Sequence, residues 1–176
     1  MSGIGGHARP YKGATDVWLT PPAIIEALGP FDLDPCAALE QPWRTAAVQY
    51  TEIQNGLAQE WRGRVWLNPP YGPQAHRWIG KLADHGDGIA LVFARTDTRG
   101  FQRSARRADA ILFLHGRLVF HLPDGSLAKS NAGGPSCFLA FGERNVRALL
   151  DSGLDGFLVA PRAAIADPET LFGETA

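Results

Sequence analysis

The sequence predicts an α/β domain built on a mostly parallel central sheet. Three observations carry that reading. Strand-like and helix-like segments alternate along the chain, the pattern of helices packed against a parallel sheet. Ile89-Ala90-Leu91-Val92-Phe93 is a continuous apolar run, as expected of a strand covered on both faces. Two predicted strands end in a polar side chain followed by proline, Asp34-Pro35 and Asn68-Pro69-Pro70. Such sheets bind their ligands beyond these carboxyl ends.

The elements follow in order. Thr20-Pro21-Pro22 opens a helix over 23–28, with Thr20 as the N-cap and proline in the first turn. Ile24, Ile25 and Leu28 share one face, and Gly29-Pro30 stops it. Phe31-Asp32-Leu33-Asp34 is a short strand, 46–51 a second, and 64–67 a third. Residues 75–85 form an amphipathic helix with Trp78, Ile79 and Leu82 on one side, closed by Gly86 and Gly88. The apolar strand at 89–93 leads to a helix over 98–107. Ile111-Leu112-Phe113-Leu114 and Leu118-Val119-Phe120 read as strands divided by His115-Gly116-Arg117. A long polar loop over 122–135 precedes a strand at 136–141, a helix at 143–150 and a last strand, Phe157-Leu158-Val159. One domain over 15–161 is expected, between a flexible N-terminal tail (1–14) and a C-terminal tail (162–176).

Composition narrows the function classes. The 176 residues suffice for one core, and 45% hydrophobic with 20% charged residues describes a soluble globular chain. No apolar stretch approaches the roughly 20 residues that span a bilayer, and the N-terminus has no continuous apolar core of a signal peptide. Cys36 and Cys137, the only cysteines, make neither a disulfide framework nor a zinc site, and the five histidines lack metal-ligand spacing. No metal and no membrane partner is expected, and a cytoplasmic location is. The formal net charge of −1 does not announce a nucleic-acid binder. Positive charge is nevertheless local, with Arg95, Arg99, Arg103, Arg106 and Arg107 close together.

Val65-Trp66-Leu67-Asn68-Pro69-Pro70-Tyr71-Gly72 carries the chemistry. Prolines fix φ and remove backbone donors, so the carbonyls between them point where the loop directs. The Asn68 side-chain oxygen and the Pro69 carbonyl can both accept hydrogen bonds from an exocyclic NH2 group. Tyr71 offers a flat face to a stacked base. The combination suits gripping a planar amino group while a methyl group is moved onto its nitrogen.

Several blocks, in order, resemble the phage-type DNA N-6-adenine methyltransferases, which use S-adenosylmethionine. Asp16-Val17-Trp18-Leu19-Thr20-Pro21-Pro22 looks like the family's N-terminal cofactor-contacting segment, and Phe31-Asp32-Leu33-Asp34-Pro35-Cys36-Ala37 like its first cofactor motif. Gly56-Leu57, Trp61 and residues 65–72 look like the lead-in and catalytic loop. Arg95-Thr96-Asp97-Thr98 and Gly116-Arg117-Leu118-Val119-Phe120 resemble later segments. The resemblance spans 16–142. It implies a Rossmann-like methyltransferase fold and methyl transfer to adenine N6 in DNA, in a bacterial or phage-infected cell. Many methyltransferases carry a Gly-x-Gly turn after the first strand; here the turn reads Pro35-Cys36-Ala37-Ala38.

The residues' chemistry and placement, with the resemblance, give the expected roles. Asn68 and Pro69 accept the amino hydrogens, with Pro70 completing the loop and Tyr71 stacking on the base. Asp34 engages the cofactor's methionine amino group, Thr20 the methionine carboxylate and Glu52 the ribose hydroxyls, with Pro35 and Cys36 beside them. Cys36 need not act as a nucleophile; a small buried hydrophobe is its expected role. Arg95, Arg99 and Arg117 are candidate phosphate contacts, and Lys129 in the long loop a candidate contact to the target strand. Asn-Pro-Pro-Tyr loops also serve transfer to RNA bases or to a protein glutamine, and a non-catalytic nucleic-acid-binding protein with this fold is a further alternative.

Overall fold

The computed structural model describes residues 17–70, 72 and 74–160. Tyr71, both expected tails and the outermost residues of the expected domain lie outside the described residues. The elements run α1 (Pro22–Leu28), β1 (Leu33–Asp34), β2 (Val48–Gln49), β3 (Val65–Leu67), α2 (Ala75–His85), β4 (Gly88–Phe93), α3 (Arg99–Ala105), β5 (Ala110–Leu114), β6 (Ser136–Phe141), α4 (Glu143–Asp151) and β7 (Gly156–Val159).

One sheet, in the order β2-β1-β3-β4-β6-β5-β7, holds them together. β2, β1, β3 and β4 pair in parallel. β6 then inserts antiparallel between β4 and β5, and β7 closes the far side antiparallel to β5. Because β4 and β5 both oppose β6, β1 to β5 all point the same way and their carboxyl ends share one edge. The sheet is therefore mixed: β6 and β7 run against the other five.

Strand chemistry explains the centre. Every residue of β6 is buried, and β4 is buried from Gly88 to Val92. Side chains alternate between faces along a strand. Ile89 and Leu91 accordingly join Ile24, Leu28, Phe120 and Leu149 under α1 and α4, while Ala90 and Val92 join Trp61, Trp78, Ile79 and Leu82 under α2. α2 follows its apolar stripe from end to end. Gly86, at φ 79° where a side chain would be strained, closes the helix by donating its N–H to the Leu82 carbonyl at 2.8 Å. Thr98 caps α3 by accepting from the Phe101 N–H at 3.3 Å.

Two expectations change. Residues 118–120 are not a strand. β5, the strand just before them, is already paired on both sides, by β6 and β7, so they cannot fold back beside it. Phe120 instead buries against the α1/α4 face, and His121 makes single bridges to Leu19 and Leu127. Nor does Thr20 cap α1: Pro21 occupies the cap position with no side-chain hydrogen bond, and the Thr20 hydroxyl is engaged elsewhere.

Candidate active site

β1 has β2 on one side and β3 on the other, so the chain reverses its direction of winding between β1 and β3. A crevice opens at such a reversal, outside the carboxyl ends. Asp34 ends β1 and Asn68 follows β3, on strands that pair through Leu33 and Val65. Both residues line one cleft of about 660 Å³, within the range of small-molecule sites.

Asp34 is 3% exposed. The Cys36 N–H donates to its Oδ1 at 3.0 Å, and the Thr45 hydroxyl donates to Oδ2. Burial pushes its carboxyl up from the ordinary 3.8 to about 6, against the opposing pull of these hydrogen bonds. A buried carboxylate in this state calls for a cation. Cys36 donates its Sγ–H to the Asn68 carbonyl at 3.2 Å and so joins the two strand ends. Burial, then the negative charge of Asp34, holds its thiol well above the usual range, which suits a packing group and not a nucleophile.

Asn68 is oriented unambiguously. Its Nδ2 donates to the Trp18 carbonyl at 3.1 Å and to the Thr20 hydroxyl oxygen at 3.3 Å. Its Oδ1 is buried and has no partner among the described residues. The side chain thus presents an unmet acceptor, the polarity required to receive an N–H. Pro69 is buried beside it, while Pro70 is exposed.

The remaining expected residues fall as follows. Thr20, Pro35, Cys36 and Glu52 all line the same cleft, Glu52 with an exposed side chain. Arg95 and Arg117 stand beyond the carboxyl ends of β4 and β5, on the edge that carries Asn68, and Arg99 begins α3 after the same β4 loop. Arg95 lies 5.7 Å from the Phe93 ring centre, and Arg117 donates to the Ala132 carbonyl at 3.2 Å. Arg99 and Lys129 are exposed. A second cavity of about 440 Å³, lined by Arg95, Thr98 and His76, shares Pro69 and Gly72 with the first.

Gly56 is the residue that role-by-role reading missed. A Cβ there would collide with the Pro35 carbonyl oxygen. The absence of a side chain at Gly56 lets this wall of the cleft pack directly on the turn after β1. The Asn55-Gly56 pair, a turn dipeptide, was the available signal. Asn55 has φ 51°, and the Gly56 carbonyl accepts from Trp61 Nε1 at 2.8 Å. Lys81 Nζ donates to the Leu57 carbonyl at 2.7 Å and pins the wall to α2.

The sequence matches the family model for DNA N-6-adenine-methyltransferase (Dam) over residues 8–163. The chain belongs to the Dam family. It is a Rossmann-like, S-adenosylmethionine-dependent methyltransferase that transfers a methyl group to the N6 amino group of adenine in DNA. No curated protein and no solved structure matches the chain. The donor set fits the cofactor: the buried Asp34 carboxylate calls for a cation such as an α-ammonium group, and the cleft has the volume for the whole molecule. Among the described residues no group of histidines, cysteines and acids could hold a metal ion, and no helix is long and apolar enough to cross a membrane.

Proposed function

We propose that Asn68 and Pro69 hold the amino group of the target adenine and that Asp34 holds the cofactor beside it. One observation carries the reading: Asn68, whose buried Oδ1 is an acceptor without a partner among the described residues, lines the same cleft as the desolvated Asp34 carboxylate. An unmet buried acceptor is costly unless a ligand meets it.

The bound cofactor supplies an electrophilic sulfonium methyl group. The chain's residues supply placement. The adenine amino nitrogen is a poor nucleophile because its lone pair is delocalised into the ring. Asn68 Oδ1 and the Pro69 carbonyl each accept one amino hydrogen, favouring a more tetrahedral nitrogen whose lone pair is directed at the methyl donor. Fixed acceptors of this kind act by positioning and by electrostatic stabilisation without reorganising. Asp34 pairs with the α-ammonium group, Glu52 with ribose hydroxyls, and Thr20, Pro35 and Cys36 form the cleft wall around the methionine moiety. Tyr71 stacks on the base, which must leave a duplex to reach the loop at a cost of about a few kcal/mol. Arg95, Arg99, Arg117 and Lys129 contact the DNA backbone or target strand from the same edge of the sheet, and the enzyme works on DNA in the cytoplasm.

Asn68→Ala tests the central assignment. The single-turnover methylation rate should fall by about 10²- to 10³-fold, as for loss of one preorganised hydrogen-bonding group, while the cofactor Kd stays within about twofold. Turnover at the wild-type rate would sink it.

A further inference from the structure

We propose that Thr20 is a positioning residue for the reaction: together with the Trp18 carbonyl, it holds the Asn68 amide by its nitrogen and leaves the oxygen free for the substrate. The inference rests on the reading of Asn68 as the amino-group acceptor.

The two ends of an asparagine amide are nearly the same size, and its last torsion is broad and roughly two-fold. Which end faces the cleft is therefore decided by partners. The Trp18 carbonyl can only accept, so the nitrogen end of Asn68 must face it. The Thr20 hydroxyl oxygen receives the same nitrogen from a second direction. With both Nδ2 contacts made, Oδ1 is left as the end of the amide without a partner among the described residues. An inverted amide would set its own N–H groups against those of adenine and leave the amino group without this acceptor. Thr20 is 3% exposed, so water has little access to replace its oxygen.

The segment that does this is itself held in place. Leu19, 4% exposed, exchanges two backbone hydrogen bonds with His121, at 2.9 and 3.0 Å. His121 stands edge-on to Trp43 with ring centres 5.0 Å apart, and its Nδ1 lies 2.8 Å from the Gly125 carbonyl. Pro21 follows Thr20 and restricts its backbone to extended conformations. The orientation of the catalytic amide is thus imposed from a segment 48 to 50 positions earlier in the chain, not from its own loop. Supporting contacts of this kind separate a site that is present from one that is set to work.

Thr20→Val keeps the shape and removes the oxygen. The expected result is a single-turnover rate about tenfold or more below wild type at saturating S-adenosylmethionine and DNA, with the cofactor Kd, measured calorimetrically, within about twofold. Thr20→Ser should restore the rate. A wild-type rate in Thr20→Val overturns the proposal. So does a loss confined to cofactor Kd with the saturated rate unchanged, which would make Thr20 a cofactor contact alone. A second readout does not depend on activity. The Asn68 side-chain amide signal in a ¹H–¹⁵N spectrum, assigned by its absence from Asn68→Ala, should move in Thr20→Val and stay in Thr20→Ser. An unmoved signal in Thr20→Val overturns the proposal. If Asn68→Ala itself turns over normally, the reading of Asn68 has failed; if Asn68→Ala is inactive and Thr20→Val is unaltered, only the Thr20 assignment has.

Discussion

The two ends of the sheet treat buried polar groups in opposite ways. At the amino end, Arg64 is 7% exposed and its guanidinium donates to Asn145 Oδ1 at 2.7 Å and to the Pro30 carbonyl at 3.0 Å, over the Phe31 ring at 4.4 Å. Asn145 in turn donates to Asp87 at 2.9 Å and to the Phe141 carbonyl at 2.7 Å, and Arg144 Nε donates to Asp87 at 2.7 Å. Burial acts to raise the Asp87 carboxyl, but the hydrogen bonds from Arg144 and Asn145 outweigh it and hold the group below its ordinary range. Among the described residues Arg64 Nη2 lacks a partner there, whereas Asn68 Oδ1, Gln41 Nε2 and Ser136 Oγ lack one on the carboxyl side, as does Trp43 Nε1 in the connection from β1 to β2. At that end burial prevails and raises the Asp34 carboxyl to about 6. A nearly satisfied network suits a scaffold; unmet polar groups and a desolvated acid suit a binding site, at some expense of stability.

The sharpest way to break this contrast is at Asp34. Truncating one partner of a buried, hydrogen-bonded charge pair costs about 2–5 kcal/mol, so Asp34→Asn should weaken S-adenosylmethionine binding by at least about 30-fold, measured by calorimetry; unchanged affinity refutes the assignment. The same group sets a pH dependence. The folded protein holds the Asp34 proton up to about 6 and the unfolded chain only to about 3.8. Between those values the folded state binds more protons, so this contribution to stability is full below the lower value. It is lost as pH rises through the higher one, by on the order of 3 kcal/mol. Cofactor affinity should move the opposite way and fall as pH drops below about 6, because the ammonium group requires the ionised acid. Asp34→Asn should flatten both profiles, in urea melts and in calorimetry.

At the amino end the expected damage is to stability alone. Arg64→Met removes a charged donor from two buried acceptors and should destabilise the protein by about 2–3 kcal/mol in urea unfolding. The cofactor Kd of the folded variant should remain at the wild-type value; a change would mean that the two ends are coupled. The smallest effect is expected at the exposed Arg99. Arg99→Ala should weaken DNA binding a few-fold at low salt and reduce the slope of log affinity against log salt by about one. An unaltered slope returns Arg99 to the solvated surface.

Local pattern was enough wherever a segment's neighbours are uniform. The expected helix at 75–85 and strand at 136–141 coincide with α2 and β6, because an apolar stripe closed by glycine and a run buried on both faces each admit one solution. The proline-bearing ends of β1 and β3 were also legible, since strand ends with proline are local features. Residues 118–120 carry a strand-like pattern too, yet a strand folded back beside β5 depends on a free edge there, and β7 had taken it. Thr20 looked like a cap for the same kind of reason. Threonine before proline is a good N-cap in isolation, but a hydroxyl within reach of Asn68 has a nonlocal partner.

By itself the sequence determined the α/β class, the order of most elements, the Asn68 loop and the likeness to its family, because these reside in runs of adjacent residues. Only the tertiary structure decided that β6 would enter between β4 and β5, that Gly56 would pack against the Pro35 carbonyl, and that Trp18 and Thr20 would hold the nitrogen of the Asn68 amide and leave its oxygen unpaired among the described residues. Each of those depends on a contact between residues far apart in the chain, and such contacts are set by which surfaces and hydrogen-bonding groups remain unpaired once the local elements have formed.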